Sequence, residues 1–244
     1  MWNGLLLGVE ILAMLGVLAV LVISVQAYLR LNQDLAEVDK VNATAQAVNA
    51  ALAIRPTATP LITVNRVVLP GGHVWDANGQ HRFNLLEVPE PYRLAFQEQL
   101  NAPRTELAAP VAGGPIRVQI PAIALDASVR AGDDWISLQA GVGHYPNSGK
   151  PGQKGNMVLT GHNDIFGEVF RRLEELNAGT EIRVQSTEGQ WYTYVVREKQ
   201  VVEPTEVWVL DQNLGAQVPL MTLITCHPYR VNTHRMIVFA EWVN

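Results

Sequence analysis

Cys226 is the single thiol in a chain of 244 residues. It closes a strand-like apolar run, Pro219 to Cys226, and Arg235 lies at the start of the next, His234 to Val243, after a short connection holding Pro228. His162 follows a third run, Val158-Leu159-Thr160-Gly161, whose glycine lets backbone or substrate come close. At three strand ends a rigid sheet can present the three side chains to one shared groove. There a thiolate can act as a nucleophile, an imidazole can pass a proton, and a guanidinium can donate permanently to an oxyanion. Free thiol and imidazole groups would be only about 3% thiolate and about a quarter imidazolium at pH 7. A working site therefore enriches the thiolate or runs on a minor state.

Plainer readings exist for each residue. A lone strand cysteine is usually a small buried hydrophobe, His162 alone is a loop histidine, and Arg235 alone is a solvated strand end. Arg230 is the alternative for the oxyanion role. Asn163 and Asp164 read as caps of a following helix rather than as groups orienting His162. Cys226, His227 and His234 lack a second cysteine and any zinc spacing, so no metal and no cofactor is expected. Trp208 and Trp242 read as core.

The elements that must position these residues are short. Ile116–Ile120, Asn156–His162, Pro219–Cys226 and His234–Val243 read as strands. Thr180–Ser186 and Trp191–Val202 flank Thr187-Glu188-Gly189-Gln190, a hairpin signal. Phe166–Leu176 has helical spacing, closed by Asn177-Ala178-Gly179. Many short strands and few helices predict a mostly β domain over 114–244, a mixed, largely antiparallel barrel or sandwich. Before it, 61–113 reads as an accessory segment: strands over Leu61–Leu69 and Arg82–Val88, turns at Gly71-Gly72 and Asn78-Gly79, a helix over Pro91–Leu100, then a Pro/Gly/Ala linker. A packed accessory element is expected there, in preference to a spacer, a docking surface or a lid.

Residues 1–30 read as a membrane anchor. Leu5 to Leu29 is apolar apart from Glu10 and Gln26, and the uncharged part from Ile11 would make a helix of about 28 Å, against a hydrocarbon core of roughly 30 Å. No basic residue precedes Arg30, so a retained anchor in contact with lipid is expected rather than a cleaved signal. Residues 31–60 continue as a helical stalk ended by the prolines at 56 and 60. With 48% hydrophobic residues the chain can bury a core, and a net charge of -5 without a basic stripe excludes a nucleic-acid footprint. The flanking charges do not decide orientation.

Thr222-Leu223-Ile224-Thr225-Cys226 resembles the signature strand of the sortase family, which ends in its nucleophile. Arg235-Met236-Ile237-Val238 is similar to the family's arginine-led last core strand, and Thr160-Gly161-His162 to its histidine segment. Ile120-Pro121, the loop Gly141 to Pro146, and Pro151-Gly152 extend the likeness in order over about 115–244. The resemblance implies an eight-stranded closed β-barrel and a transpeptidase that cleaves a C-terminal sorting signal through a thioacyl enzyme. It implies Cys226 as nucleophile, His162 as general acid/base and Arg235 as stabiliser of substrate and oxyanion. Thr160, Thr225 and His144 are the candidates for substrate contact, His144 with Tyr145 reading equally as a structural turn. The implied partners are secreted proteins and an amine of the cell wall or a pilin, with the catalytic domain outside a single-pass anchor. No apolar segment follows Val243, so a class D/E-like rather than a pilin-polymerising enzyme is expected. The rival from another class is a catalytically silent surface-binding module.

Overall fold

The computed structural model describes residues 67–101 and 107–243, Ala77 excepted, with four helical positions nearer the N-terminus, Leu21, Val25, Gln26 and Leu29. The rest of the expected anchor, and the stalk and linker over 31–60, lie outside the described residues. Among the described residues no helix is long and apolar enough to cross a membrane.

Ten strands are present among the described residues. β1 (His73–Trp75) and β2 (His81–Phe83) pair as a small hairpin. The other eight are β3 (Pro115–Ile120), β4 (Leu125–Ala131), β5 (Val142–His144), β6 (Asn156–Thr160), β7 (Glu181–Ser186), β8 (Trp191–Val202), β9 (Leu220–His227) and β10 (His234–Val243). They close into a barrel in the order β10-β8-β7-β3-β4-β5-β6-β9. The pairs β4–β5 and β6–β9 are parallel and the others antiparallel. Closure removes the sheet edges that would otherwise invite another chain.

Strand alternation sorts the side chains into two layers. Met157, Leu159, Met221, Leu223, Val238 and Ala240 belong to the interior cluster. Their neighbours Val158, Ile224, Ile237 and Phe239 join Val202, Val209 and Leu210 in a second cluster on the opposite face. Cys226 and Arg235 continue that second set along β9 and β10. A slip of one residue would turn both to the other face, so the apolar pattern of the two strands fixes where the chemistry points.

The structure departs from the sequence reading in five places. Phe166–Leu176 is not a helix: Phe166, Gly167 and Glu168 all have left-handed φ (49°, 86° and 52°), and only Leu173–Glu175 forms a 3-10 turn. Buried Phe170, Leu173 and Leu176 recur every three residues and imitate an amphipathic face while packing on the barrel. β4, β5 and the short helix Trp135–Gln139 are additional elements. Val67–Leu69, the described end of the expected strand 61–69, is irregular, and the strand expected over 82–88 is β2 followed by a 3-10 turn at Leu85–Glu87. The expected helix over Pro91–Leu100 runs from Arg93 to Asn101.

Candidate active site

Register brings the three chemical residues to one rim. Arg235 is paired across the antiparallel ladder with Cys226. β6 runs parallel to β9, Thr160 pairs with Ile224, and the Gly161 N–H donates to the Ile224 carbonyl at 3.1 Å. His162 therefore leaves β6 at the end of the barrel where β9 delivers Cys226. Two side-chain bonds lock this corner. Asn163 Nδ2 donates to the Cys226 carbonyl at 2.7 Å, and Thr225 Oγ1 to the Gly161 carbonyl at 2.7 Å. A Cβ on Gly161 would lie 2.9 Å from Val169 and Phe170 side-chain atoms, so glycine lets the His162 backbone sit against the core.

The accessory segment lies across this rim as a strap. Leu69 is fully buried in the second apolar cluster, and its N–H donates to the Pro204 carbonyl at 2.7 Å. Burying that side chain contributes about 2 kcal/mol to seating the strap. Arg235 Nε donates to the Pro70 carbonyl at 2.9 Å, and Nη2 forms an ion pair with Glu87. Cys226 Sγ donates to the Gly71 carbonyl at 3.1 Å. Cys226 and Arg235 are consequently 1% and 0% exposed.

His73, the first residue of β1, ties the strap to the other side of the rim. Its Nδ1 faces the Gly71 carbonyl at 3.1 Å and its Nε2 faces Asp164 Oδ1 at 3.1 Å. Asn232 Nδ2, a donor, also lies 3.1 Å from Nε2, so it is the negative charge of Asp164 beside the ring that favours the imidazolium. Asn232 Nδ2 donates to Asp164 Oδ2 at 2.9 Å and completes the latch. Burial works against a charge on His73, but the hydrogen bonds to Asp164 and Cys226 win and push its pKa up to about 10. For Asp164, burial is likewise outweighed by hydrogen bonds from His73 and Asn232, which hold its carboxyl below the usual range.

His162 is 1% exposed, and neither ring nitrogen has a hydrogen-bond partner among the described residues. Its ring packs edge-on against those of His73, Trp135 and Phe166, with centroids 5.4, 5.5 and 5.4 Å away. Burial and the charge on His73 push its pKa down to about 3. Two unit charges at that spacing repel by about 3 kcal/mol at an effective dielectric near 20, or roughly two pKa units. With the strap seated, His162 is held as the neutral imidazole, a poor general acid toward a leaving amine.

The other candidates sit as follows. His144, in β5, is buried with Nε2 against the Gly149 carbonyl at 3.0 Å, and burial lowers its pKa. Thr160 is buried at the end of β6. Arg230 is exposed and lies over the Tyr229 ring at 5.2 Å. His227 and His234 face different carboxylates, Glu174 and Glu203. Trp242 packs on the core, whereas Trp208 is 44% exposed while stacked on Phe239. His73, Glu87, Trp135 and Asn232 were not singled out by sequence reasoning. Gly71-Gly72, read as a turn, is the nearest signal to a close backbone approach.

The latch gives a signed pH dependence. His73 has a raised pKa when seated, so its contribution is complete below the ordinary histidine value near 6.5 and is lost as pH rises through about 10. Asp164 has a lowered pKa, so its contribution is complete above the ordinary carboxylate range and is lost on acidification. The strap is therefore expected to be held best between about pH 4.5 and 6.5. Hydrogen-exchange protection of the Gly72 and His73 amides, corrected for intrinsic exchange, checks this. Protection that stays constant from pH 6 to 9 would contradict it.

Comparison with known proteins places these features in context. The family model described as the sortase domain matches residues 118–243. Sortase D of Bacillus subtilis is 32% identical over 46% of this chain and 54% of its own length. Sortase SrtE1 of Streptomyces coelicolor is 35% identical over 42% of this chain and 32% of its own length. The chain thus spans about half of the first of these relatives and a third of the second. Among solved structures, sortase A from Corynebacterium diphtheriae superposes with a TM-score of 0.51 at 31% identity, over 64% of this chain and 70% of that one.

Proposed function

Because the chain belongs to the sortase family, we propose that it is a cysteine transpeptidase that forms a thioacyl enzyme and passes the acyl group to an amine. The observation that carries this is the cross-strand pair of Cys226 and Arg235, with His162 delivered to the same rim by the parallel strand β6. In the open site the Cys226 thiolate attacks the carbonyl of a peptide bond in the place now held by Gly71. The S–C bond forms, Arg235 donates to the oxyanion, and the C–N bond breaks as His162 protonates the departing amine. An acceptor amine then attacks the thioester, gives its proton to His162 and releases the thiolate as a new amide forms.

The substrates are secreted proteins with a C-terminal sorting signal, and the acceptor is an amine of the cell wall or a pilin. Thr160, Thr225 and His144 belong to the substrate-binding side. Residues 5–29 anchor the chain in the membrane, 31–60 form the stalk, and 114–244 act outside the cell. Within 61–113, the described strap over 67–101 closes the groove and must leave before substrate enters. The two relatives of classes D and E favour a D/E-like subclass over the pilin-polymerising one.

The test incubates the full chain in detergent with a library of sorting-signal peptides, with and without an amine acceptor, and reads products by mass. An acyl adduct on Cys226 that is discharged by the amine to an amide is expected, and none in a Cys226→Ser chain. An accelerated thiol label without any acyl adduct, across the library and in a strap-released variant, would reject the transpeptidase and leave a binding module.

A further inference from the structure

Asp164 reads from sequence as a helix cap, but no helix follows it: the next turn is broken by the left-handed residues Phe166, Gly167 and Glu168. Its carboxylate does something else. It is 5% exposed, and its two oxygens are divided between the strap and the barrel. Oδ1 meets His73 Nε2 at 3.1 Å, while Oδ2 accepts from Asn232 Nδ2 at 2.9 Å. If the strap leaves, Asn232 still tethers the carboxylate, and Oδ1 loses its cation. The vacated ring position lies edge-on to His162, 5.4 Å between centroids.

The charged and titratable groups acting on His162 come from every element around it: His73 and His81 of the strap, Asp164 of its own loop, and Arg235 of β10. Cys226 of β9 acts in turn on His73, favouring its charged form. Of the groups acting on His162, Asp164 favours a proton on the ring, and His73, His81 and Arg235 oppose it. Two of those three opponents depart with the strap. We propose that Asp164 is a positioning residue for the reaction: it holds the proton on His162 when the strap is away, and His73 occupies that carboxylate while the strap is seated. The strap thus silences the site in two ways. Its backbone fills the groove, and its own imidazolium takes the place that the charged His162 needs.

This inference rests on the transpeptidase reading only in giving His162 a proton to deliver, and its test reads that proton directly. The full chain in detergent carries Glu87→Gln and His73→Gln together to release the strap, with histidine ring nitrogens labelled for NMR. His162 is expected to titrate near or above the ordinary histidine value in that background. Adding Asp164→Asn should lower its midpoint by about one pH unit or more. The descending limb of the kcat/KM profile should move down by the same amount, with kcat falling and KM nearly unchanged, and Asp164→Glu should restore most of both. A merely structural role would lower activity without moving the midpoint. If Asp164→Asn does not fold, Asn232→Ala in the same background serves instead, leaving the carboxylate untethered and lowering the midpoint by a smaller amount. A His162 midpoint unmoved by the variant that folds overturns the proposal. A midpoint that moves in a chain with no transpeptidation counts against the function and not against this inference.

Discussion

Iodoacetamide is expected to alkylate Cys226 at least ten-fold faster in a Glu87→Gln chain than in the wild type at the same pH. Glu87 is the strap's carboxylate on Arg235, and their side chains are 7% and 0% exposed. The 3-10 turn Leu85–Glu87 presents it, with Asn84 Nδ2 donating to its second oxygen at 3.3 Å. Removing one member of a buried ion pair typically costs about 3 kcal/mol or more, because the other charge is left in a low dielectric. Here the molecule has an inexpensive escape: the strap lifts and water reaches Arg235, while the closed barrel stays folded. Part of the cost therefore appears as opening, and His73 and Leu69 keep the release incomplete. Gly72→Ala should act in the same direction, since a Cβ at that position collides with both Glu87 and Arg235. An alkylation rate unchanged in both variants would mean that the strap does not control access to the thiol.

Replacing Arg235 by lysine is expected to lower kcat/KM for peptide-amide exchange by about 100- to 1000-fold, the usual cost of an oxyanion donor. The guanidinium spans several acceptors at once, donating through Nε to Pro70, through Nη1 to the His234 carbonyl at 3.1 Å, and through Nη2 to Glu87. An ammonium keeps the charge and loses the fork. The same substitution weakens the strap's seat, so thiol alkylation should rise while transpeptidation falls. Those opposite movements distinguish a role in the chemistry from a loss of fold, which would lower both. Exchange within ten-fold of the wild type would remove Arg235 from the reaction.

Strand ends were the legible part of this site. Cys226 and Arg235 close and open long apolar runs, and register then makes them a pair. His162 follows a buried five-residue strand that is equally clear. The latch was not legible, for physical reasons. His73 lies in a three-residue strand with no apolar period, and Glu87 is an ordinary surface-type residue until a distant guanidinium meets it. β5 is three residues, all buried, and so shows no alternation to read. The false helix after Asp164 had the opposite fault: Phe170, Leu173 and Leu176 have a period, but it serves packing on the barrel rather than a helix. That error also hid the role of Asp164, because a cap seemed to explain it.

The β7–β8 hairpin now has a practical meaning. β8 runs antiparallel to β10 with Val202 beside Arg235, so the start of β8 lies at the far end of the barrel. The turn from Thr187 to Gln190, almost wholly exposed, is therefore separated from the thiol by the length of a twelve-residue strand. It offers an attachment point for a fluorophore or a solid support that would leave the groove and its strap free to work.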